Sequence, residues 1–406
     1  MTGASEYDVA AVRAHFPALD EGAAHFDGPG GSQTPDVVAD AVAATLRAAV
    51  ANRGRVTAAE RRADDVVTEA RAAAADLLGA DPRGVVFGRS MTQLTYDVSR
   101  ALAKGWGPGD EVVVTSLDHD ANVRPWVQAA EAADADVRWA EFDPASGELD
   151  TDVVAGLLTD RTRVVAVTGA SNLIGTRPDV PAIAKAVHAA GALLYVDGVH
   201  LTPHTSVDVA ALGADLYACS PYKFLGPHLG LLAGVPETLD RITPDKLRPM
   251  SDDIPERFEQ GTLPYELLAG TTAAVDFLAA LVPGSGDRRS RLVASMTALE
   301  EYEHGLLRRL EDGLAGIEGL VTYGGAARRT PTVLFSVPGL APARVHEGLA
   351  ERNVNAPAGS FYAVEAADRL GLGRSGAVRA GIAPYTDTDD VDRLIAGVSE
   401  LAAARP

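Results

Sequence analysis

Thiols are nearly missing from this chain: among 406 residues there is one cysteine, Cys219. A single thiol excludes an internal disulfide, a cysteine-based zinc site and paired-thiol redox chemistry, and it fits a reducing cytoplasm. Basic charge is also scarce. Lys and Arg number 36 against 56 Asp and Glu, a net charge of −20. A field of that sign repels phosphate backbones and anionic lipid, so neither nucleic acid nor membrane is an expected partner. No stretch reaches the about 18 uninterrupted apolar residues that span a bilayer. The opening MTGASEYD (1–8) carries an acid where an export signal carries Lys or Arg before an apolar core, and the expected location is cytoplasmic. Internal repeats and low-complexity tracts are absent as well.

What is present is a globular composition, 47% hydrophobic and 23% charged, with apolar surface enough for a large core. A glycine-rich loop, FDGPGGSQTP (26–35), precedes helical patterns over 36–50 and 57–79, separated by the break ANRGR (51–55). Short β-rich runs then alternate with Ala-rich helical stretches: VVFG (85–88), DEVVVTS (110–116), VRWAEF (137–142), RVVAVTG (163–169), ALLYVDG (192–198), DLYACS (215–220) and LGLLAG (229–234). Such alternation predicts crossover units on a mostly parallel sheet covered on both faces. Helical patterns over 263–281 and 288–318 lead to a second segment with strands near 321–324, 332–337 and 377–383. The expected division is an α/β fold with a large domain over 31–285, a smaller α+β domain over 286–406, and residues 1–30 folding back on the small domain.

Ligands of an open parallel sheet sit beyond the carboxyl ends of its strands. The residues there are the turn Ser90-Met91-Thr92, DHDAN (118–122), Asn172, Asp197 and Lys223. Lys223, in SPYKFLGP, is the one amine among small and apolar neighbours, surroundings that disfavour ammonium and suit Schiff-base chemistry. Asp197 ends the apolar run ALLYV, where a carboxylate can hold a proton on a heteroaromatic nitrogen. Singly, each has an ordinary explanation as a surface lysine or a strand-ending turn. Together they point to a cofactor.

In these motifs the chain resembles the fold-type I pyridoxal-phosphate enzymes of the class V aminotransferase, cysteine desulfurase-like group. The likeness runs in order through FDGPGGSQTP, SMTQ, DHDANVRPW, SNLIGT, VDGVH, YKFLGPHLG, RFEQGT and VRAGIAPYTDTDDVDRL. It implies the PLP-dependent transferase fold and pyridoxal 5′-phosphate as cofactor. Lys223 would carry the cofactor and serve catalysis with Asp197 on the pyridine nitrogen and His119 stacked on the ring. Asn172 and His200 would lie near the phenolic oxygen and the substrate. Met91, Thr92 and Ser220 would hold the phosphate, joined by Thr262 from a neighbouring subunit, so a homodimer with shared sites is expected. Arg379 would fork onto the substrate α-carboxylate.

Three departures stand out. His200 occupies a position where the family usually has Gln, and Tyr222 one where desulfurases usually have His. The loop 355–376 contains no thiol, whereas desulfurases carry a mobile cysteine shortly before the carboxylate-binding arginine. Cys219, on the strand feeding Lys223, reads as a small buried hydrophobe. GLGRSG (371–376) follows a helical pattern rather than a strand and is no dinucleotide loop. His200 and His204 have helical metal-pair spacing, but Pro203 intervenes and no third ligand is apparent. The expectation is a lyase acting on an amino acid by β-elimination at a C–S bond. A class V aminotransferase, a desulfurase using an unusual thiol, and a binding scaffold without turnover remain alternatives.

Overall fold

The computed structural model describes residues 7–404. Its strands, in chain order, are β1 (Ala24–His25), β2 (Val85–Gly88), β3 (Glu111–Thr115), β4 (Asp136–Ala140), β5 (Thr162–Thr168), β6 (Leu193–Asp197), β7 (Leu216–Cys219), β8 (Gly230–Gly234), β9 (Val321–Tyr323), β10 (Thr332–Ser336), β11 (Val354–Asn355), β12 (Ala358–Gly359) and β13 (Ala377–Gly381). Seven form one sheet in the order β2-β8-β7-β6-β5-β3-β4. Its neighbours pair in parallel except at β8, which runs against both β7 and β2. Alternate residues face opposite cores. Val164 and Ala166 of β5 pack with Trp126, Tyr195 and Leu216, whereas Val165 and Val167 pack with Leu194, Val196 and Cys219 on the other side. Both faces are dry, which is why these strands lack a polar alternation.

A second sheet, antiparallel in the order β12-β13-β10-β9, belongs to the C-terminal part. The N-terminal segment reaches it: β1 pairs in parallel with β11, and Asp27 bridges to Gly381. Arg13 meets Asp387 and Asp390 at 3.1 and 2.7 Å. Residues 1–6 of the expected N-terminal segment lie outside the described residues. The 28-residue helix Arg288–Ala315 serves both cores. Leu292, Met296 and Leu299 join the core beside the large sheet, and Leu306, Leu310 and Leu314 join Phe335, Val378 and Leu394.

Helix boundaries follow local chemistry. Thr57 and Glu60 form a reciprocal capping box at the start of Ala58–Leu78, and Gly79, at φ 60°, ends it. The helix Asp36–Arg47 is shorter than the expected pattern over 36–50. Among the described residues no helix is long and apolar enough to cross a membrane.

One buried ion pair anchors the segment that carries Thr262. Arg71 is bidentate on Glu259, at 2.9 and 2.7 Å, and Glu259 also accepts the Phe87 N–H at 2.9 Å. Both side chains are buried, so removing one partner strands the other charge. Arg71→Met should therefore lower unfolding free energy by about 3–5 kcal/mol, measured by urea denaturation. An unchanged midpoint would show that the pair contributes nothing.

Candidate active site

The carboxyl ends of β3, β5, β6 and β7 open into a cavity of about 550 Å³, within the usual range for small-molecule sites. Pro29, Met91, Thr92, His119, Asn172, Asp197, His200, Ser220, Lys223 and Arg379 line it. Of the residues expected to act together, one stands apart. Thr262 lines a separate groove with Phe87, Arg89 and Gln93, on another side of the helix Met91–Ala103.

Lys223 is the one lysine of four that lines the cavity. It sits in the turn Pro221–Lys223 just after β7. Its Nζ donates to the Pro29 carbonyl at 2.5 Å and lies 4.8 Å from the Tyr222 ring centre. Burial, reinforced by Arg379 and opposed by Asp197, pulls the ammonium pKa down to about 7. Pro29 reaches this position because β13 has no side chain at Gly381: a Cβ there would fall 2.2 Å from the proline ring.

Asp197, at the end of β6, is buried and accepts the Val199 N–H at 2.9 Å. Burial pushes its carboxyl up to about 6. A buried acid with one backbone donor fits a cationic partner in the cavity. His119 caps the turn Asp120–Asn122 and accepts the Ala121 N–H on Nδ1 at 3.0 Å, which leaves Nε2 as its protonated nitrogen. Burial, with Lys223 and Arg379 nearby, lowers its pKa to about 4, so the ring offers an uncharged face to another aromatic ring.

Ser90 caps the helix Met91–Ala103. Its Oγ takes the Gln93 N–H and its carbonyl the Leu94 N–H, leaving Met91 and Thr92 N–H groups without partners among the described residues. Those free donors, beside the Thr92 and Ser220 hydroxyls, suit a phosphate. Gly230 of β8 packs directly under this turn. A Cβ there would lie 2.2 Å from the Ser90 carbonyl carbon.

Arg379, on β13, donates from Nη1 to the Asn172 carbonyl at 2.8 Å, while its buried Nε has no partner. The Phe361 ring centre lies 3.8 Å from its guanidinium carbon. Phe361 belongs to a strap, Ser360–Ala363, across the cavity. Asn172 Nδ2 donates to the Phe361 carbonyl at 2.9 Å, and the Asp120 N–H donates to the Tyr362 carbonyl at 2.7 Å. Tyr362 stacks on His119 with ring centres 5.5 Å apart. Phe361 and Tyr362 both have left-handed backbones, φ 52° and 59°, each at a cost of about 1–3 kcal/mol. His200 lies behind, its Nε2 2.9 Å from Thr332 Oγ1. His204 pairs with buried Glu303 at 2.9 Å. No group of three metal-ligating side chains occurs among the described residues.

The sequence profile of the class-V aminotransferases matches residues 24–394. The chain belongs to that family. An uncharacterized protein of Mycobacterium tuberculosis, MT3887, is 35% identical over 97% of this class-V chain and 99% of its own. The cysteine desulfurase of Dickeya dadantii is 30% identical over 97% of each. The solved structure of the cysteine desulfurase CsdA of Escherichia coli superposes with a TM-score of 0.86, at 28% identity over 98% of each chain. Pyridoxal 5′-phosphate is the cofactor of this class-V family. The unpartnered N–H donors at Met91 and Thr92, the singly bonded carboxylate of Asp197 and the buried amine of Lys223 fit its phosphate, ring nitrogen and aldehyde.

Asp120, of the expected DHDAN turn, also lines the cavity, as do Tyr96, Arg124, Phe361 and Tyr362, which were not among the expected site residues. Tyr96 follows Thr92 by one helical turn, a spacing that could have found it. Phe361 and Tyr362 carry no such signal, because their position depends on the strap.

Adding pyridoxal phosphate to apoprotein and then borohydride should label the peptide containing Lys223, and Lys223→Ala should abolish the label. The neutral amine is the nucleophile, so attachment should rise as pH passes about 7 rather than the ordinary 10.5. A midpoint near the ordinary value would contradict the buried, neutralised amine.

Proposed function

We propose that this chain is a lyase that cleaves the C–S bond of a cysteine-type amino acid or S-conjugate by β-elimination. The observation that carries this reading is a buried amine in a cavity that no thiol lines. Cys219 is wholly buried in the core beside the sheet and does not line the cavity. Burial pushes its thiol up to about 12, and a persulfide route needs an accessible thiolate. The strap carries Phe361 and Tyr362 where a desulfurase-like loop would offer a cysteine.

When bound, pyridoxal phosphate supplies a carbonyl for the substrate amine and a ring that accepts electrons. In this reading Met91, Thr92 and Ser220 hold the phosphate, and His119 covers the ring. Asp197 keeps the proton on the pyridine nitrogen. Arg379 fixes the substrate carboxylate, setting the Cα–H bond towards Lys223, which takes that proton. The Cβ–S bond then breaks with its electron pair on sulfur while a Cα–Cβ double bond forms, and the sulfur takes the proton from Lys223 and leaves as thiol. Hydrolysis of the product yields a keto acid and ammonia beside the thiol.

Thr262 supports a homodimer: it lies outside the cavity of its own chain, and a second copy is the arrangement in which it completes a site. Sedimentation should show a dimer at assay concentration. A fully active monomer would refute the shared site.

Incubation with cysteine S-conjugates should release thiol, keto acid and ammonia in equal amounts. Cys219→Ala should keep that turnover while losing about 1 kcal/mol of stability from the small void. Loss of all sulfur release in a folded, cofactor-loaded Cys219→Ala, with a persulfide trapped on wild-type Cys219, would replace the lyase by a desulfurase.

A further inference from the structure

The mouth of the cavity holds a second arginine. Arg124 opens the helix Arg124–Ala132, and its side chain is 39% exposed. It lines the same cavity as Lys223 and Arg379. Two carboxylates approach it, Asp120 Oδ1 at 3.1 Å and Glu365 Oε1 at 3.6 Å, and both approach the same nitrogen, Nη2. Neither approach is a hydrogen bond, and Asp120 Oδ1 has no hydrogen-bond partner at all, so the donors of the guanidinium are unsaturated. Arg379 likewise has an unpartnered Nε, but on the buried side of the same cavity. Tyr96 and Tyr362 stand with Arg124 in the lining.

An arginine that two acids approach at one nitrogen, without a hydrogen bond to either, is placed but keeps its donors available. Guanidinium geometry favours a planar, bidentate anion on an edge that includes Nη2, in place of the weaker of the two acids. Arg379 accounts for one carboxylate, that of the amino acid itself. We propose that Arg124 binds a second acidic group at the end of the substrate side chain, so that the preferred substrate is a dianionic cysteine conjugate whose sulfur substituent ends in a carboxylate. The proposal rests on the reading that this site takes an amino acid. Glu365 makes the longer of the two contacts and lies in the helix after the strap. It is the partner that an incoming carboxylate replaces.

The test is rapid mixing of the cofactor-loaded enzyme with S-carboxymethylcysteine or with its amide, S-carbamoylmethylcysteine. The two have the same length and differ in one charge. The initial change in visible absorbance reports binding before any product forms. Wild type should bind the acid at least tenfold more tightly than the amide. In Arg124→Gln that ratio should fall towards one, Arg124→Lys should keep part of it, and Glu365→Gln should raise it. A wild-type ratio near one, or a ratio unchanged in Arg124→Gln, overturns the subsite. Should Arg124→Gln lose its fold by circular dichroism, Glu365→Gln decides: a higher ratio supports the subsite and an equal or lower one overturns it. Preference for the acid without release of thiol would leave the subsite standing and remove the lyase reading. No absorbance change with either compound would overturn both.

Discussion

The hydrogen bond from Lys223 Nζ to the Pro29 carbonyl, at 2.5 Å, is the contact on which the remaining architecture converges. A carboxylate in that place would hold the amine as ammonium. A backbone carbonyl accepts from either protonation state, so burial and the Arg379 charge are free to favour the neutral form. That carbonyl belongs to the N-terminal segment, which pairs with β11 and packs on the bare backbone of Gly381. The amine extends from the large sheet. Three separate parts of the chain must therefore be in register before the amine has its environment.

The strap adds a second dependence between the parts. Its two left-handed aromatic residues are unfavourable on their own. They are held by donors from the large-sheet side, the Asn172 amide and the Asp120 N–H. In return Phe361 covers the flat face of Arg379, leaving the in-plane edges of the guanidinium for ligands. Asn172 works in both directions, with its side chain on the strap and its carbonyl on Arg379. A change in the strap is thus felt at the Arg379 end of the cavity.

The parts legible in the sequence are those set by short-range chemistry. The apolar runs of β5 and β6 show burial on both faces, and the residues just past strand ends, His119, Asp197 and Lys223, do meet in one cavity. Strands β1, β11 and β12 were not legible, since two residues carry no periodicity and their pairing comes from tertiary packing. Nor could the sequence show that β8 runs against its neighbours, because a buried strand reads alike in both directions. Arg124 carried no signal in the sequence, since a residue that opens a helix before Pro125 reaches the cavity mouth only through tertiary packing. Cys219 was legible as core, because its neighbours on β7 alternate between the two faces of the sheet.

The electrostatics of the cavity oppose those of the whole chain. The net charge is −20, yet Arg379 lies buried with an open Nε, balanced at a distance by Asp27. Burial without a direct anionic partner pulls its guanidinium pKa down to about 9. A carboxylate arriving there supplies the partner that the protein itself withholds, which is a preorganised form of recognition. The same event acts on Lys223. Part of what lowers the lysine pKa is the Arg379 charge, and a bound carboxylate cancels that charge. The amine is consequently least basic in the empty cavity, where it must be nucleophilic. In the proposed reaction it becomes more basic once an acid occupies Arg379, the stage at which it would take a proton from carbon. One guanidinium can therefore shift a single lysine between two chemical tasks without any movement of the fold.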